Sequence, residues 1–328
     1  MIKKSEIRTV LKRRYNIYPS KINSLTSDQG NVFEIKSKKN YYILKIYDSK
    51  DHSIEERTIS ETIRLLDFLQ KTNFSYQFPT PLSDNKGSLV LNYNSFSGIL
   101  YKRIGGSGLK SVNLNQVKEI AKLLAVFHKK TGRFVVNKGV VKFHKFLRFN
   151  SLDEYDFLAK TNTLKNKTFF LSNLNFMQEV FDYSIRNISF SDFGVIHSDV
   201  NLNNLISNEG KIKGLIDFEN YNRAPRIFDI AYAIKMTCFK YDKIDFLKLK
   251  NFLKTYSRFN SLPKNFHKDL FPSILLDHSI YFFRAYYKGR TKELYETVKS
   301  TKLIFNLMKN AQAYNKLVTL LKSLNRQI

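Results

Sequence analysis

The stretch Val195-Ile196-His197-Ser198-Asp199-Val200-Asn201-Leu202-Asn203-Asn204-Leu205, followed by Leu215-Ile216-Asp217-Phe218-Glu219, constrains this chain more than any other. It reads as apolar strand, polar loop, short apolar strand, turn, and a last apolar strand that ends in carboxylates. His-x-Asp-x-x-x-x-Asn sets Asp199 and Asn204 five residues apart on one tight loop, and Asp217 follows Asp199 by eighteen. Phosphoryl transfer from a nucleotide needs such a set: one Asp beside the attacking hydroxyl, then an Asn and a second Asp holding Mg²⁺ on the phosphates. Taken alone, His-x-Asp is equally a polar loop between strands. The Asn at its offset and the apolar-Ile-Asp-Phe at its distance argue against that plainer reading.

The rest of the chain is long enough, at 328 residues, for one large domain or two lobes. With 43% hydrophobic and 14% aromatic residues it has the makings of a folded core. A single cysteine, Cys238, excludes an internal disulfide and a cysteine-based zinc cluster. The six histidines show no metal-ligand spacing. No run reaches the ~18 apolar residues that suggest a membrane span. Met1-Ile2-Lys3-Lys4 leads into a mixed-charge helix and not into a signal sequence. The expectation is a soluble cytoplasmic protein without a membrane partner.

A formal charge of +27 raises the question of a nucleic-acid or anionic-membrane partner. The lysines, however, are spread along the whole chain. Abundant Lys, Asn, Phe, Tyr and Ile without Trp fit an AT-rich coding bias. We therefore read the charge as a solvated surface, with no specific nucleic acid as partner.

Along the chain, a short amphipathic helix over 4–15 precedes three strands at 21–27, 31–37 and 41–47, the last two joined by the turn Lys38-Lys39-Asn40. Lys45 is a lone cation in Tyr42-Ile43-Leu44-Lys45-Ile46-Tyr47. Such a charge either points to solvent from an edge strand or faces a polar cleft. A helix over 54–71 follows, then the break Phe78-Pro79-Thr80-Pro81 and strands at 88–93 and 97–104, completing a five-stranded antiparallel lobe. Gly105-Gly106-Ser107-Gly108-Leu109-Lys110-Ser111 is no G-x-x-x-x-G-K-[ST] loop and reads as a flexible hinge. Asn113 and Gln116 form a capping box for a helix to about 130. His128, on its apolar stripe, reads as a satisfied structural residue. Further helices are expected within 140–190, 244–258, 271–288 and 291–325. Asp192-Phe193-Gly194 is a decoy, because a metal-binding Asp-Phe-Gly must follow the catalytic loop.

His197-x-Asp199-x-x-x-x-Asn204, Ile216-Asp217-Phe218-Glu219 and Asp229-Ile-Ala together resemble the aminoglycoside phosphotransferase and choline kinase superfamily, nearest its type II homoserine kinase-like branch. The resemblance covers most of residues 20–235. Ser198 stands where many members carry Gly. The fold it implies is α+β, a bilobal protein-kinase-like fold with a small antiparallel-sheet lobe (1–104) and a larger, mainly helical lobe (105–328). The roles it implies are Asp199 as the catalytic base, Asn204 and Asp217 on Mg²⁺, and Lys45 on the nucleotide phosphates. Glu61 would hold Lys45, with Glu55 or Glu56 as substitutes. The segment Tyr101–Ile104 would meet the adenine, and Asp28-Gln29-Gly30-Asn31 lies where the fold lays a loop over the phosphates, although with one Gly it is no Gly-rich loop and reads equally as a plain β-turn. His197 and Asp229 would brace the loop, while Glu219 and Asn201 would lie near the cleft.

The activity implied is transfer from ATP, with GTP possible, to a hydroxyl of a small molecule such as a homoserine-like amino alcohol or a sugar. Aminoglycosides and choline or ethanolamine are the alternatives. A protein kinase fits less well: eleven residues between Asp217 and Asp229 are too few for an activation segment, and no Ala-Pro-Glu follows. A catalytically silent nucleotide-binding protein is the rival outside enzymes, although the three polar groups of the motif are all present. Acceptor identity, ATP or GTP preference and oligomeric state stay open at this level.

Overall fold

In a computed structural model, residues 3–25, 31–48, 52–93, 96–137, 166–240 and 243–326 are described. The first helix, α1 (Lys4–Tyr15), buries Ile7, Val10 and Leu11, the stripe that helical spacing predicts. Strands β1 (Lys21–Leu25), β2 (Asn31–Ser37), β3 (Asn40–Asp48), β4 (Leu91–Tyr93) and β5 (Phe96–Lys102) make one antiparallel sheet in the order β1-β2-β3-β5-β4. Lys38 and Lys39 close β2 onto β3, with Ser37 opposite Asn40 and Lys38 at φ 52°. Of the Asp28–Asn31 turn, Asp28, Gln29 and Gly30 lie outside the described residues.

The period of two in β3 and β5 decides what lies on each face. Leu44, Ile46 and Leu100 pack with Ile7, Val10 and Leu11 of α1. Ile99, Tyr101 and Tyr47 turn the other way, toward a core shared with Ile59, Leu65 and Leu69 of α2 (His52–Lys71). Lys45, opposite Ile99, belongs to this second face. Since β3 is an interior strand, Lys45 is not an edge-strand charge.

The stretch expected as a flexible hinge is structured. Ser107–Gly108 forms β6, pairs with β8 (Leu205–Asn208), and through it joins β9 (Lys211–Leu215) in a three-stranded sheet. A side chain at Gly106 (φ +124°) would meet the Ser207 carbonyl oxygen at 2.4 Å, and one at Gly108 the Asn203 carbonyl oxygen at 2.8 Å. The glycines that suggested flexibility are there for close backbone approach.

The rest is mostly helical: α3 (Leu114–Lys130), α4 (Lys167–Asn187), α5 (Ile227–Cys238), α6 (Phe246–Phe259), α7 (Phe266–Tyr287), α8 (Thr291–Lys309) and α9 (Ala311–Arg326). The capping box of α3 is formed: Gln116 N–H donates to Asn113 at 2.9 Å, and Asn113 N–H to the Gln116 side chain at 3.0 Å. Of the 140–190 stretch, residues up to 165 lie outside the described residues. The α+β expectation, a strand-rich start and a helix-rich remainder, holds. No helix among the described residues is long and apolar enough to cross a membrane.

Candidate active site

Two short antiparallel pairs position the motif. β7 (Phe193–Ile196) pairs with β10 (Asn222–Pro225), and the loop carrying His197 and Asp199 leaves the end of β7. The β8–β9 hairpin then sets Leu205 opposite Leu215, so that Ile216 N–H donates to the Asn204 carbonyl at 2.9 Å. Residues far apart in sequence, Asn204 and Asp217, thereby sit at the same end of one hairpin.

The loop is held from below by Asp229, at the start of α5 and 1% exposed. Its carboxylate accepts His197 N–H at 2.7 Å and Ser198 N–H at 2.8 Å, and meets His128 Nε2 at 3.1 Å. His128 Nδ1 lies 2.7 Å from the Tyr256 hydroxyl. Burial pushes the His128 pKa down, so both ring nitrogens are satisfied in the neutral form. His197 braces the loop from above: Nε2–H donates to the Ile216 carbonyl at 3.0 Å, and Nδ1 accepts Asp199 N–H at 3.3 Å. His128, His197 and Asp229 thus have the structural contacts anticipated for them. The decoy Asp192 pairs with Arg226 at 2.6 Å.

The Asp199 carboxylate is fixed by donors on both oxygens. Oδ1 accepts from the Asn201 amide at 2.7 Å and the Tyr232 hydroxyl at 3.4 Å, and Oδ2 from the Asn204 amide at 3.0 Å. With its nitrogen committed to Asp199, Asn204 offers its carbonyl oxygen as the atom for a cation. Tyr232 escaped notice in the sequence. Its signal was its position three residues after Asp229, on the same face of α5.

Lys45 reaches this group from the sheet. Its ammonium lies 2.6 Å from Asp217 Oδ1 and 3.0 Å from Glu219 Oε1. Burial would push Asp217 up, but its hydrogen bond with Glu219 and the Lys45 ammonium hold it below the usual carboxylate range. Glu219, buried beside Asp217, is pushed up despite Lys45. Burial would lower Lys45, and the Glu219 and Asp217 carboxylates more than offset it, leaving its pKa raised.

The expectation that Glu61 holds Lys45 is corrected. Glu61 instead takes Arg64 at 2.8 Å, one turn on in α2, the Tyr221 hydroxyl at 3.0 Å, and the Asn137 amide. An i,i+3 arginine is always in reach of a helical glutamate, whereas Lys45 would have to bridge to a different element. The side chains of Glu55 and Glu56 lie outside what is described.

Lys45, Tyr101, Ile104, Asp199, Asn204 and Asp217 line a single cleft of about 1910 Å³. That is larger than the ~300–1,000 Å³ of an ordinary small-ligand pocket, and has room for two ligands side by side. Its far wall carries Lys235, whose ammonium lies 4.6 Å from the Tyr232 ring centroid and 5.5 Å from that of Tyr281. The acids of this wall are already paired within the chain: Asp277 with Lys235, Glu293 with Arg290 at 3.3 Å, Glu296 with Lys292 at 3.8 Å.

A family model described as the phosphotransferase enzyme family matches residues 21–261. The chain belongs to that family. It is on this ground a small-molecule kinase by membership, with a kinase-like fold. No curated protein sequence matches significantly. Among solved structures it is similar to a microcompartment-associated aminopropanol kinase, with a TM-score of 0.67 at 15% identity over 90% of this chain and 94% of that one. It is also similar to an amicoumacin kinase in complex with AMP-PNP, Ca²⁺ and amicoumacin, with a TM-score of 0.66 at 18% identity over 97% and 96%. A spectinomycin phosphotransferase in complex with ADP and spectinomycin gives 0.63 at 15% identity over 97% and 98%. At these identities the structural matches speak for the fold.

Proposed function

We propose that this phosphotransferase moves the γ-phosphoryl group of ATP or GTP, with Mg²⁺, onto a hydroxyl of a small molecule in the cytoplasm. The observation that carries the reading is the meeting of Lys45 with Asp217 in the cleft that also holds Asp199 and Asn204. Nucleotide complexes of the similar amicoumacin and spectinomycin kinases support a nucleotide in this cleft.

Asp217 and the Asn204 carbonyl are two hard oxygen donors, too few to cage a metal alone. No cluster of three or more metal-binding side chains occurs among the described residues. Such a pair suits a Mg²⁺ that arrives on nucleotide phosphates, since that ion usually keeps one or two protein carboxylates and takes its other ligands from phosphate and water. Bound there, the ion would neutralise charge on the transferring group.

In this reading Lys45 neutralises the phosphates from the sheet side, and Tyr101–Ile104 meets the base. Asp199, aimed by Asn201, Asn204 and Tyr232, orients the acceptor hydroxyl and takes its proton as the phosphoryl group leaves the nucleotide. Residues 1–104 and 105–328 would be the two lobes. Acceptors with few positive charges, a homoserine-like amino alcohol or a sugar, suit the far wall best. A polycation gains little from Asp277, Glu293 and Glu296 when each is already neutralised by its own chain.

A coupled assay for nucleoside diphosphate release, run with ATP and with GTP across amino alcohols, hydroxy acids, sugars and aminoglycosides, tests the reading. Mg²⁺-dependent release with one of the first three classes is the expected result. Release that prefers aminoglycosides overturns the acceptor class, and no acceptor-dependent release at all overturns the activity.

A further inference from the structure

The far wall of the cleft holds a histidine that the chemistry described so far leaves unused. His278 lies on α7, is 5% exposed, and lines the cleft on the wall that carries Lys235 and Asp277. One of its ring nitrogens is accounted for: Nδ1 lies 3.2 Å from Thr301 Oγ, on α8. The Thr301 hydroxyl has a single proton and donates it to the Thr297 carbonyl at 2.7 Å. Toward the ring that oxygen can only accept, so the neutral imidazole carries its proton on Nδ1.

Nε2 is left as a bare acceptor. It has no hydrogen-bond partner among the described residues, and unlike the Ser273 hydroxyl of the same helix it is not sealed from solvent. A polar atom withdrawn from bulk water is costly when unpaired, and an open lone pair on a cleft wall is a place for a ligand's donor. Burial, with the nearby Lys235 charge, pushes the ring pKa down to about 3, so the nitrogen stays an acceptor.

The donor that fits follows from the neighbours. Lys235 is close enough for its charge to act on the His278 ring. The same ammonium packs 4.6 Å from the centroid of Tyr232, whose hydroxyl meets Asp199 at 3.4 Å. His278 is thereby linked through one lysine and one tyrosine to the carboxylate that meets the acceptor. An ammonium could donate to Nε2 but would face the like charge of Lys235. A hydroxyl can donate to Nε2 and accept from Lys235 at once.

We propose that His278 determines acceptor specificity: Nε2 accepts a hydrogen bond from a second hydroxyl of the acceptor, which is therefore a polyol or sugar and not a simple amino alcohol. The inference rests on the reading that Asp199 receives an acceptor in this cleft. It chooses between the two acceptor classes which that reading leaves open.

The test is acceptor-dependent nucleoside diphosphate release by the full chain. The probes are glycerol, pentoses and hexoses, each beside its monodeoxy analogues, together with 1-amino-2-propanol. The wild type should prefer one polyol. Removing one particular hydroxyl, other than the reacting one, should lower kcat/KM about 10-fold or more, because Nε2 then loses its donor. In His278→Phe the parent compound should fall to the level of that analogue, so that the ratio between them approaches one. Phenylalanine strands no donor at Thr301, which keeps its bond to Thr297. His278→Gln, whose amide still offers an acceptor oxygen, should recover part of the ratio. Thr301→Val frees the imidazole proton to move to Nε2 and should also erode the ratio, and it replaces His278→Phe if that variant folds poorly. A ratio that survives the substitution overturns the inference. A wild type that works best on 1-amino-2-propanol also overturns it, and leaves the functional reading standing. No acceptor-dependent release with any class sinks the functional reading and this inference together.

Discussion

Lys45 and Asp217, 172 positions apart in the chain, meet at 2.6 Å and join the central strand of the antiparallel sheet to the end of the β8–β9 hairpin. Their contact brings the sheet side of the cleft against the loop that carries Asp199. Both partners are largely withdrawn from solvent, with side chains 10% and 26% exposed. A buried pair of this kind is poor evidence for stability, because desolvation offsets much of the attraction. On the proposed function it is a poised site, in which a nucleotide and its metal would replace protein partners with their own charges.

Asp229 is the residue on which the geometry of the catalytic loop depends. Its carboxylate satisfies two backbone N–H groups and the His128 ring at once. Asp229→Ala leaves these donors without an acceptor and should destabilise the protein by about 3–5 kcal/mol, the usual cost of breaking a buried charged network. Denaturant unfolding at pH 7 measures it. A loss below about 1 kcal/mol would mean the loop has another support.

Ser198, whose own N–H is one of those donors, adopts φ 66°, a left-handed conformation costing a non-glycine residue about 1–2 kcal/mol. Glycine relieves that strain but has about 0.5–1 kcal/mol more chain entropy to lose. Ser198→Gly should therefore keep stability within about 1 kcal/mol and leave turnover nearly unchanged. Ser198→Val, β-branched at positive φ, should lose both. Melting curves and the diphosphate assay on the two variants check the contrast.

Much of this was legible in the sequence because it is encoded locally. The α1 stripe, the Asn113 box, the Lys38-Lys39 turn and the strand-loop-strand frame of the motif each depend on neighbours within a few residues. The partner of Lys45 was not legible. Choosing between Glu61 and Glu219 requires knowing that Arg64 and Tyr221 already hold the former and that Tyr47 faces the latter, contacts set only by tertiary packing. The Gly105–Ser111 stretch misled for a related reason. Glycine marks both flexible chain and close backbone approach, and only the pairing of β6 with β8 tells them apart.

Protonation of buried histidines sets an acid limit on stability. Burial drives the His278 pKa down to about 3, and His128 moves in the same direction. Between the unfolded value near ~6.5 and the lower folded value, the unfolded chain takes up protons that the native chain refuses. Stability is thus full above pH ~6.5 and falls as pH drops, by up to ~1.4 kcal/mol per pH unit for each histidine. Urea unfolding at pH 7 and pH 5 should show the fall, and His278→Gln should flatten it. An identical slope in that variant would remove His278 from the account.

The division of labour between the two aspartates is the central claim, and isothermal titration of ATP with Mg²⁺, and with a chelator in its place, tests it most directly alongside turnover. On the proposed roles Asp199 meets the acceptor hydroxyl, so Asp199→Asn should bind Mg·ATP nearly as wild type does while turnover falls by ~10²–10⁴. On the same proposal Asp217 would supply charge to the metal, so Asp217→Asn should weaken ATP binding about ten-fold or more when Mg²⁺ is present and much less when it is chelated. If Asp199→Asn abolishes nucleotide binding while Asp217→Asn leaves both binding and its metal dependence intact, these roles are contradicted.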